Sequence, residues 1–218
     1  MKIVMLVAAH KDYWMPSDRI YKPIQVGAAG KAPLHPDWLR DDTGDQISRK
    51  NAGFCELTGY YWAWKNYPAE VYGTCHYRRY FANHALGQPK KQRLLTAAQI
   101  QRLLQNADMV LPPKRHYWIE TRESQYIHAH NAQDLQCARQ VLTEKYPEYL
   151  PEWEQVMHSR SGHIFNMLIA RRPVFDAYCT WLFDVLFEVE KRLDTSGYSP
   201  SDQRVFGYLA ERLLDVYV

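Results

Sequence analysis

The chain has 218 residues and a formal net charge of +3, from 27 lysines and arginines against 24 aspartates and glutamates. Hydrophobic residues make up 46% and charged residues 23%, values that exclude a disordered or fibrous chain. The small, evenly spread charge does not indicate a nucleic-acid-binding protein. The unusual feature is aromatic, since 16 tyrosines and 7 tryptophans occur in one small protein. Such rings pack in cores or against sugars and bases.

The sequence indicates neither a membrane span nor a secretory signal. No stretch reaches the roughly 20 consecutive apolar residues that a transmembrane helix needs. The short apolar run at 3–9 is followed by His10, Lys11 and Asp12 rather than by small residues that would form a cleavage site. The four cysteines are far apart and form no CxxC pair, so we expect reduced thiols and a cytoplasmic protein. A peripheral association with a membrane needs no anchor and is compatible with these features.

The first half of the chain predicts two strands and a helix. Residues 3–9 are continuously apolar, as is typical of a strand that is buried on both faces. A loop rich in Gly, Pro and Asp is predicted over 27–47, followed by a helix over 49–66 with Ser48 as its N-cap. A second strand is predicted over 71–77.

The second half continues the alternation of helices and strands. Thr96 is predicted to cap a helix, which a strand at 108–111 follows. Further along come a helix over 132–146, a strand over 164–170, a helix over 174–193 and a last helix that begins near Ser201 and Asp202. This order favours a single domain over 1–218 of the α/β class, with a mostly parallel central sheet flanked by helices. Ligands of such sheets bind beyond the carboxyl ends of the strands.

Basic and aromatic side chains follow the predicted strands. After the first, second and third strands come His10-Lys11, His76-Tyr77-Arg78-Arg79 and Lys114-Arg115-His116, respectively, and Asn166 lies in the fourth. Convergent arginines and lysines indicate an anionic ligand, because a guanidinium group can bind two phosphate oxygens at once. Surface ion pairs of Arg78 and Arg79 are the competing interpretation.

Three sequence motifs of phosphate and nucleotide sites are absent. Neither GxGxxG nor GxxxxGK[ST] occurs, so a Rossmann dinucleotide site or a P-loop is not indicated. No Asp-x-Asp pair occurs either. If the ligand is a sugar nucleotide, arginine and lysine side chains would have to neutralise its diphosphate, and we predict no metal site and no cofactor.

Several sequence blocks resemble a bacterial family of capsular and exopolysaccharide biosynthesis proteins, long catalogued as a domain of unknown function. These blocks are 44–48, 55–58, 61–66, 75–81 and 203–214. The resemblance implies a GT-A-like glycosyltransferase. Such an enzyme would transfer galactofuranose or another hexose from a nucleotide-diphosphate donor, for which UDP is the preferred nucleotide. The acceptor would be a surface polysaccharide or lipopolysaccharide, either free or lipid-linked. We expect a cytoplasmic enzyme, able to associate with the inner face of the membrane, and the mild charge predicts no nucleic-acid partner.

Glycosyl transfer requires stabilisation of the leaving nucleoside diphosphate, deprotonation of the acceptor hydroxyl, and alignment of the two. The predicted donor-binding residues are His10, Lys11, Asp45, Asn51, His76, Tyr77, Arg78, Arg79 and Asn166. The candidates for the catalytic base are Asp202, Glu211 and His128, with Asp202 preferred for its place at a loop–helix junction. Helix capping by Asp202 and an ion pair of Glu211 with Arg212 or Arg204 are the alternatives.

Two other classes of function compete with the transferase. His128 and His130 form an HxH pair that could place two imidazoles on one metal ion of a hydrolase. A noncatalytic module that binds glycan through aromatic and arginine side chains is the second alternative. Stoichiometric zinc would favour the hydrolase, and binding without turnover would favour the module.

Overall fold

A computed structural model describes residues 1–83, 87 and 89–218 of the chain. Contacts between residues divide it into two compact units. Unit 1 comprises Met1–Asn51, Glu56–Pro112 and Met167–Ala177, and unit 2 comprises Ala52–Cys55, Pro113–Asn166 and Tyr178–Val218. The single domain over 1–218 stays a prediction.

The strands are β1 (Ile3–Ala9), β2 (Tyr21–Gln25), β3 (Leu39–Arg40), β4 (Val71–His76), β5 (Met109–Val110), β6 (Arg115–His116), β7 (Ser161–Gly162) and β8 (Ile169–Arg171). The α-helices are α1 (Asn51–Phe54), α2 (Leu57–Asn66), α3 (Ala97–Leu103), α4 (Arg122–Ala129), α5 (Ala132–Lys145), α6 (Leu150–His158), α7 (Arg172–Arg192) and α8 (Val205–Tyr217). Short 3₁₀ turns lie at Ser48–Lys50, Lys90–Gln92, Pro147–Tyr149 and Asp202–Arg204.

Unit 1 is built on a six-stranded sheet in the order β3-β2-β1-β4-β8-β5. The strands β3, β2, β1 and β4 are parallel to one another, whereas β8 is antiparallel to both β4 and β5. The strand β5 therefore runs in the same direction as β4. Every residue of β1 is buried, as expected for a strand at the centre of a mostly parallel sheet. The predicted α/β class with a mostly parallel sheet is confirmed.

Both faces of this sheet are covered within unit 1. Tyr72 and Tyr21 pair with neighbouring residues of β1, so they point to opposite faces. On one face Phe175, near the start of α7, stacks on Tyr72 with 4.5 Å between the ring centroids. On the other face the Tyr21 hydroxyl donates to the Leu95 carbonyl at 2.8 Å. The sheet is thereby held rigidly enough to position side chains at its edges.

Unit 2 is mainly helical, with one two-stranded antiparallel ribbon formed by β6 and β7. Within it, α6 contacts α4, α5 and α8. Its core includes Trp153 and Met157 of α6, which are almost fully buried, and Phe206 of α8. Phe54 stacks on Phe206 with 4.6 Å between the centroids.

The predicted helix over 49–66 is wrong as one continuous helix. The chain instead makes a 3₁₀ turn at Ser48–Lys50, the short α1, a break, and then α2. Cys55 causes the break, because its φ of 50° lies in the left-handed region that a helix cannot continue through. Ser48 is not an N-cap; its buried hydroxyl bonds to Asp41.

The predicted strand over 164–170 is also mostly wrong. Of this range only Ile169 and Ala170 lie in a strand, β8, and Phe165, with a φ of 72°, cannot be part of one. The last helix begins with a 3₁₀ turn at Asp202–Arg204 rather than as an α-helix. The strand β2 and the helices α4 and α6 were not predicted.

The longest helix, α7, has 21 residues and carries acidic and basic side chains along its length. Within residues 1–83, 87 and 89–218, no helix combines the length and the apolar character needed to cross a membrane.

Candidate active site

Tyr77 lies at the centre of a group of side chains directly after β4. Its backbone N–H donates to the Ala8 carbonyl of β1 at 3.1 Å, which extends the pairing of the two strands by one residue. Its side chain is only 2% exposed. Tyr77 is therefore fixed at the carboxyl edge of the parallel strands, where ligands of α/β sheets bind.

Two cations and three rings surround Tyr77. The rings of His10, Tyr13 and His76 lie 5.3, 5.1 and 4.2 Å from the Tyr77 ring, centroid to centroid. The Lys11 ammonium and the Arg78 guanidinium lie 5.7 and 5.2 Å from its centroid, within range of a cation–π attraction. We call Tyr77 with these five residues the Tyr77 cluster. It brings together five of the predicted donor-binding residues: His10, Lys11, His76, Tyr77 and Arg78.

Arg78 and Arg79 lie on a tight turn after β4. The Arg79 N–H donates to the His76 carbonyl at 2.8 Å, and the Arg78 N–H donates to Nδ1 of His76 at 3.3 Å. Both arginines are exposed, so an anion could reach them from solvent. The turn thus holds two arginines that are adjacent in sequence, and the guanidinium of Arg78 lies beside the buried Tyr77 ring.

A buried carboxyl group organises the adjacent part of the same edge. Asp41, directly after β3, is fully buried. It accepts hydrogen bonds from the Gly27 and Ala28 backbone N–H groups at 2.8 and 2.9 Å, and from the hydroxyls of Ser48 and Thr58. These donors come from the loop after β2, from the 3₁₀ turn and from α2. Asp41 was not predicted, because the sequence indicated a loop over 27–47 and not the two-residue strand β3 that precedes it.

Asn51 lies beside this network, whereas Asp45 does not. The Asn51 amide donates to the Thr58 hydroxyl at 3.2 Å, and a Cβ built on Gly27 would come within 2.5 Å of the Asn51 side chain. Asp45 instead accepts from the Tyr61 hydroxyl at 3.0 Å, and its backbone bonds to the side chain of Asn66 on α2. Burial and this bond to Asp45 raise the pKa of Tyr61 to about 12.

The remaining predicted residues lie in unit 2. Asn166 is buried, and its amide donates to the Gly207 carbonyl of α8 at 3.1 Å. Glu211 accepts from the Phe165 N–H at 3.0 Å and pairs with Arg212 at 3.1 Å. Both carboxylate oxygens of Glu211 are therefore engaged, which confirms the predicted ion pair with Arg212.

Asp202 forms a carboxylate–imidazole pair with His130, 3.3 Å from Oδ1 to Nδ1. The hydroxyl of Ser199 donates to the other carboxylate oxygen at 2.6 Å. The bond from Ser199 and then that from His130 lower the pKa of Asp202, so it is ionised at neutral pH. The His130 ring stacks on Tyr208 at 4.2 Å. His128, in contrast, is exposed and pairs with Glu120.

A buried pair of charged side chains, Asp215 and Arg122, connects two helices of unit 2, and it was not predicted. Asp215 pairs with Arg122 and accepts the backbone N–H of His163 at 2.9 Å; the His163 ring also bonds to it. Burial lowers the pKa of Arg122 to about 10, which leaves it protonated at neutral pH. Burial, followed by the charges of Lys114 and Arg122, lowers the pKa of His163 to about 4. The imidazole is then neutral, and its Nδ1–H donates to Asp215.

The described residues offer no ready cluster of metal ligands. Outside 84–86 and 88, no three His, Cys, Asp or Glu side chains lie close enough together to hold a metal ion. His128 and His130 have different acidic partners, Glu120 and Asp202.

Comparison with solved structures defines the class of the fold. The chain is similar to the apo structure of WbbM, a bifunctional glycosyltransferase, with 28% sequence identity and a TM-score of 0.88. The match covers 100% of this chain and 42% of the WbbM chain. The mostly parallel sheet and its helices therefore form a GT-A-like glycosyltransferase fold.

The family follows from a second comparison. The family model described as "Domain of unknown function (DUF4422)" matches residues 4–218. The chain therefore belongs to the DUF4422 family. No curated protein matches it.

Proposed function

We propose that the chain is a glycosyltransferase, which moves a sugar from a nucleoside-diphosphate donor to a glycan acceptor. One observation carries this proposal: Lys11 and Arg78 each lie beside the Tyr77 ring, at the carboxyl edge of the parallel sheet. That edge is where nucleotides bind in α/β folds. The likeness of the whole of this chain to part of WbbM supports the same class of reaction.

In this proposal the Tyr77 cluster binds the donor diphosphate. The Arg78 guanidinium offers paired N–H donors to phosphate oxygens, and Lys11 adds a point charge. Arg79, on the same turn, is a further donor. As the bond between the sugar and the diphosphate breaks, negative charge grows on the leaving phosphate, and fixed cations stabilise that charge. His10 and His76 would contact the donor, and Asn51 would contact its nucleoside.

We propose Asp202 as the base that accepts the proton of the attacking acceptor hydroxyl. It is ionised, and the bonds from His130 and Ser199 fix its orientation. Glu211 is the weaker candidate because its carboxylate pairs with the permanently charged guanidinium of Arg212, whereas the partners of Asp202 are a hydroxyl and an imidazole. His128 is the weakest, since it is exposed and paired with Glu120. A single base fits a one-step displacement that inverts the configuration at the sugar carbon.

The finer assignments rest on the sequence resemblance. We propose UDP as the nucleotide and galactofuranose or another hexose as the sugar. The acceptor would be a surface polysaccharide or lipopolysaccharide, free or lipid-linked, extended on the cytoplasmic side of the membrane. The counter-charge to the diphosphate would come from Lys11, Arg78 and Arg79.

Donor binding is expected to stabilise the protein. A UDP-sugar at about a hundred times its Kd should raise the melting temperature by roughly 5 °C or more. Because the proposed counter-charges are side chains, the shift should persist in EDTA. Arg78→Ala should weaken donor affinity by about ten- to a hundredfold, since a charge-assisted hydrogen bond is lost. Differential scanning fluorimetry over a panel of nucleotide sugars measures both effects.

The control is Arg102→Ala, which removes an exposed arginine of α3. It should leave the donor-induced shift unchanged. No shift with any nucleotide sugar would contradict the proposed function. Equal shifts for Arg78→Ala and Arg102→Ala would contradict the assignment of the diphosphate to the Tyr77 cluster.

Asp202→Asn is expected to reduce turnover by about 100-fold or more, because general-base catalysis is lost. Donor affinity should change little. Asp194→Asn is the matched control, since Asp194 is an exposed aspartate whose carboxylate bonds only locally, to the Ser196 N–H. Release of nucleoside diphosphate in the presence of acceptor measures the rate. Wild-type turnover by Asp202→Asn would exclude Asp202 as the base.

A further inference from the structure

A short loop in unit 2 is anchored at both of its ends. The Tyr117 N–H donates to the Arg160 carbonyl at 2.7 Å, and the Arg122 N–H donates to the Ser159 carbonyl at 2.9 Å. Both ends of the segment 118–121 are therefore held by adjacent residues of one neighbouring segment. The Thr121 side chain also accepts from the Ser124 N–H and so caps α4. We call Trp118 and Ile119 the tip of this loop.

The tip of this loop carries two large apolar side chains in solvent. Trp118 is 88% exposed and its neighbour Ile119 is 87% exposed. Elsewhere in the described chain, the other exposed tryptophan, Trp14, is 38% exposed. Exposing a tryptophan and an isoleucine side by side is unfavourable unless a partner covers them.

The surroundings of the loop are basic. Lys114, Arg115 and Arg160 are all exposed and lie on the chain segments that form the base of the loop. The Lys114 ammonium is 4.0 Å from Asp215, which is buried, and its side chain remains 52% exposed. The acid nearest to the tip in sequence, Glu120, is paired with His128. The segments at the base of the loop thus carry exposed basic side chains.

We propose that the 118–121 loop docks the protein on the surface of a bilayer that contains anionic lipids. A tryptophan favours the interface between headgroups and acyl chains, and an adjacent isoleucine adds apolar area there. The basic residues at the base of the loop would meet anionic headgroups as the tip enters. The charge complementarity favours a lipid surface over a protein partner, for which a tip of two residues offers little area. This inference does not require donor binding and so goes beyond the proposed function.

The test is sedimentation of the full chain with vesicles. Wild type should bind vesicles of equimolar phosphatidylcholine and phosphatidylglycerol, and bind less to phosphatidylcholine alone or at high salt. Replacing both tip residues, Trp118→Ser with Ile119→Ser, should lower the partition coefficient by about tenfold or more. Leu103→Ser is the matched control, because Leu103 is an exposed leucine of α3 at 42% exposure. It should bind like wild type.

Three results would overturn the proposal. The first is failure of wild type to bind anionic vesicles. The second is equal binding by the double variant and wild type. The third concerns the oligomeric state, measured by light scattering: wild type is a dimer, and the double variant is a monomer that binds vesicles as wild type does. That result would make the loop a contact between two copies of the chain. Because both tip residues are exposed, the variants should keep the wild-type melting temperature and donor-induced shift. If no nucleotide sugar stabilises the protein, the outcome of the vesicle experiment therefore still decides whether the loop binds membranes.

Discussion

Gly162→Ala is expected to destabilise unit 2 by roughly 3–5 kcal/mol, because it would break up a buried charge pair. A Cβ at this position would lie 1.4 Å from Nη1 of Arg122 and 2.7 Å from Oδ2 of Asp215. The Arg122 guanidinium is held in place, because Arg122 is only 2% exposed and its Nη2 donates to the Glu211 carbonyl at 2.9 Å. Equilibrium unfolding in urea, followed by circular dichroism, measures the loss.

Two further variants test whether the clash with Arg122 causes the loss of stability. Gly197→Ala should leave stability nearly unchanged, because no atom lies within 4 Å of a Cβ built there. In a background of Arg122→Ala the closest clash is gone and only the approach to Asp215 remains, so Gly162→Ala should destabilise the protein much less than in the wild-type background. Equal costs of Gly162→Ala in both backgrounds would show that the clash with Arg122 is not the cause.

Asp41→Ala is expected to cost a similar amount, roughly 3–5 kcal/mol, through loss of hydrogen bonds at the edge of the sheet. The change would leave two backbone N–H groups, of Gly27 and Ala28, and two hydroxyls, of Ser48 and Thr58, without their acceptor. These groups are buried, so water does not readily replace the lost partner. The loop that carries Asn51 should loosen as well, and donor affinity should fall with stability.

The adjacent acid provides the control for Asp41. Asp42 pairs with Arg40 at 2.7 Å, and both side chains are partly exposed. Asp42→Ala should therefore cost only about 0–1 kcal/mol, the usual value for a pair near the surface. Urea unfolding of the two variants measures the free energy of unfolding that each of them loses. A cost for Asp41→Ala as small as that for Asp42→Ala would mean that the network is dispensable.

Local patterns in the sequence predicted several elements well. The apolar run at 3–9 has the bounds of β1, because a strand buried on both faces must be apolar at every position. Thr96 caps α3 in a capping box with Gln99, a signal confined to four neighbouring residues. The strand β2 was missed because its Lys22 and Pro23 obscure the apolar pattern.

The apolar pattern predicted the wrong bounds for two elements, each of which contains one residue with an unusual backbone conformation. The positive φ of Cys55 divides the predicted helix over 49–66, and that of Phe165 removes the first part of the predicted strand over 164–170. Neither residue type signals a left-handed conformation, which glycine and asparagine favour.

The candidate site was partly predictable for a topological reason. The carboxyl ends of parallel strands meet at one edge, so residues after β1 and β4 had to lie close together, as His10 and Tyr77 do. Asp41 was not predictable, because its donors lie up to 17 residues away in sequence. The contacts of Asp45 with α2 likewise depend on residues 16 and 21 positions further on.

A crystal structure of the protein with bound uridine diphosphate would show which side chains hold the diphosphate. We expect the diphosphate at the carboxyl edge of β1 and β4, with its oxygens within hydrogen-bond distance of Arg78 and Lys11. An ordered diphosphate bound elsewhere, without contacts to the Tyr77 cluster, would exclude the Tyr77 cluster as the donor site.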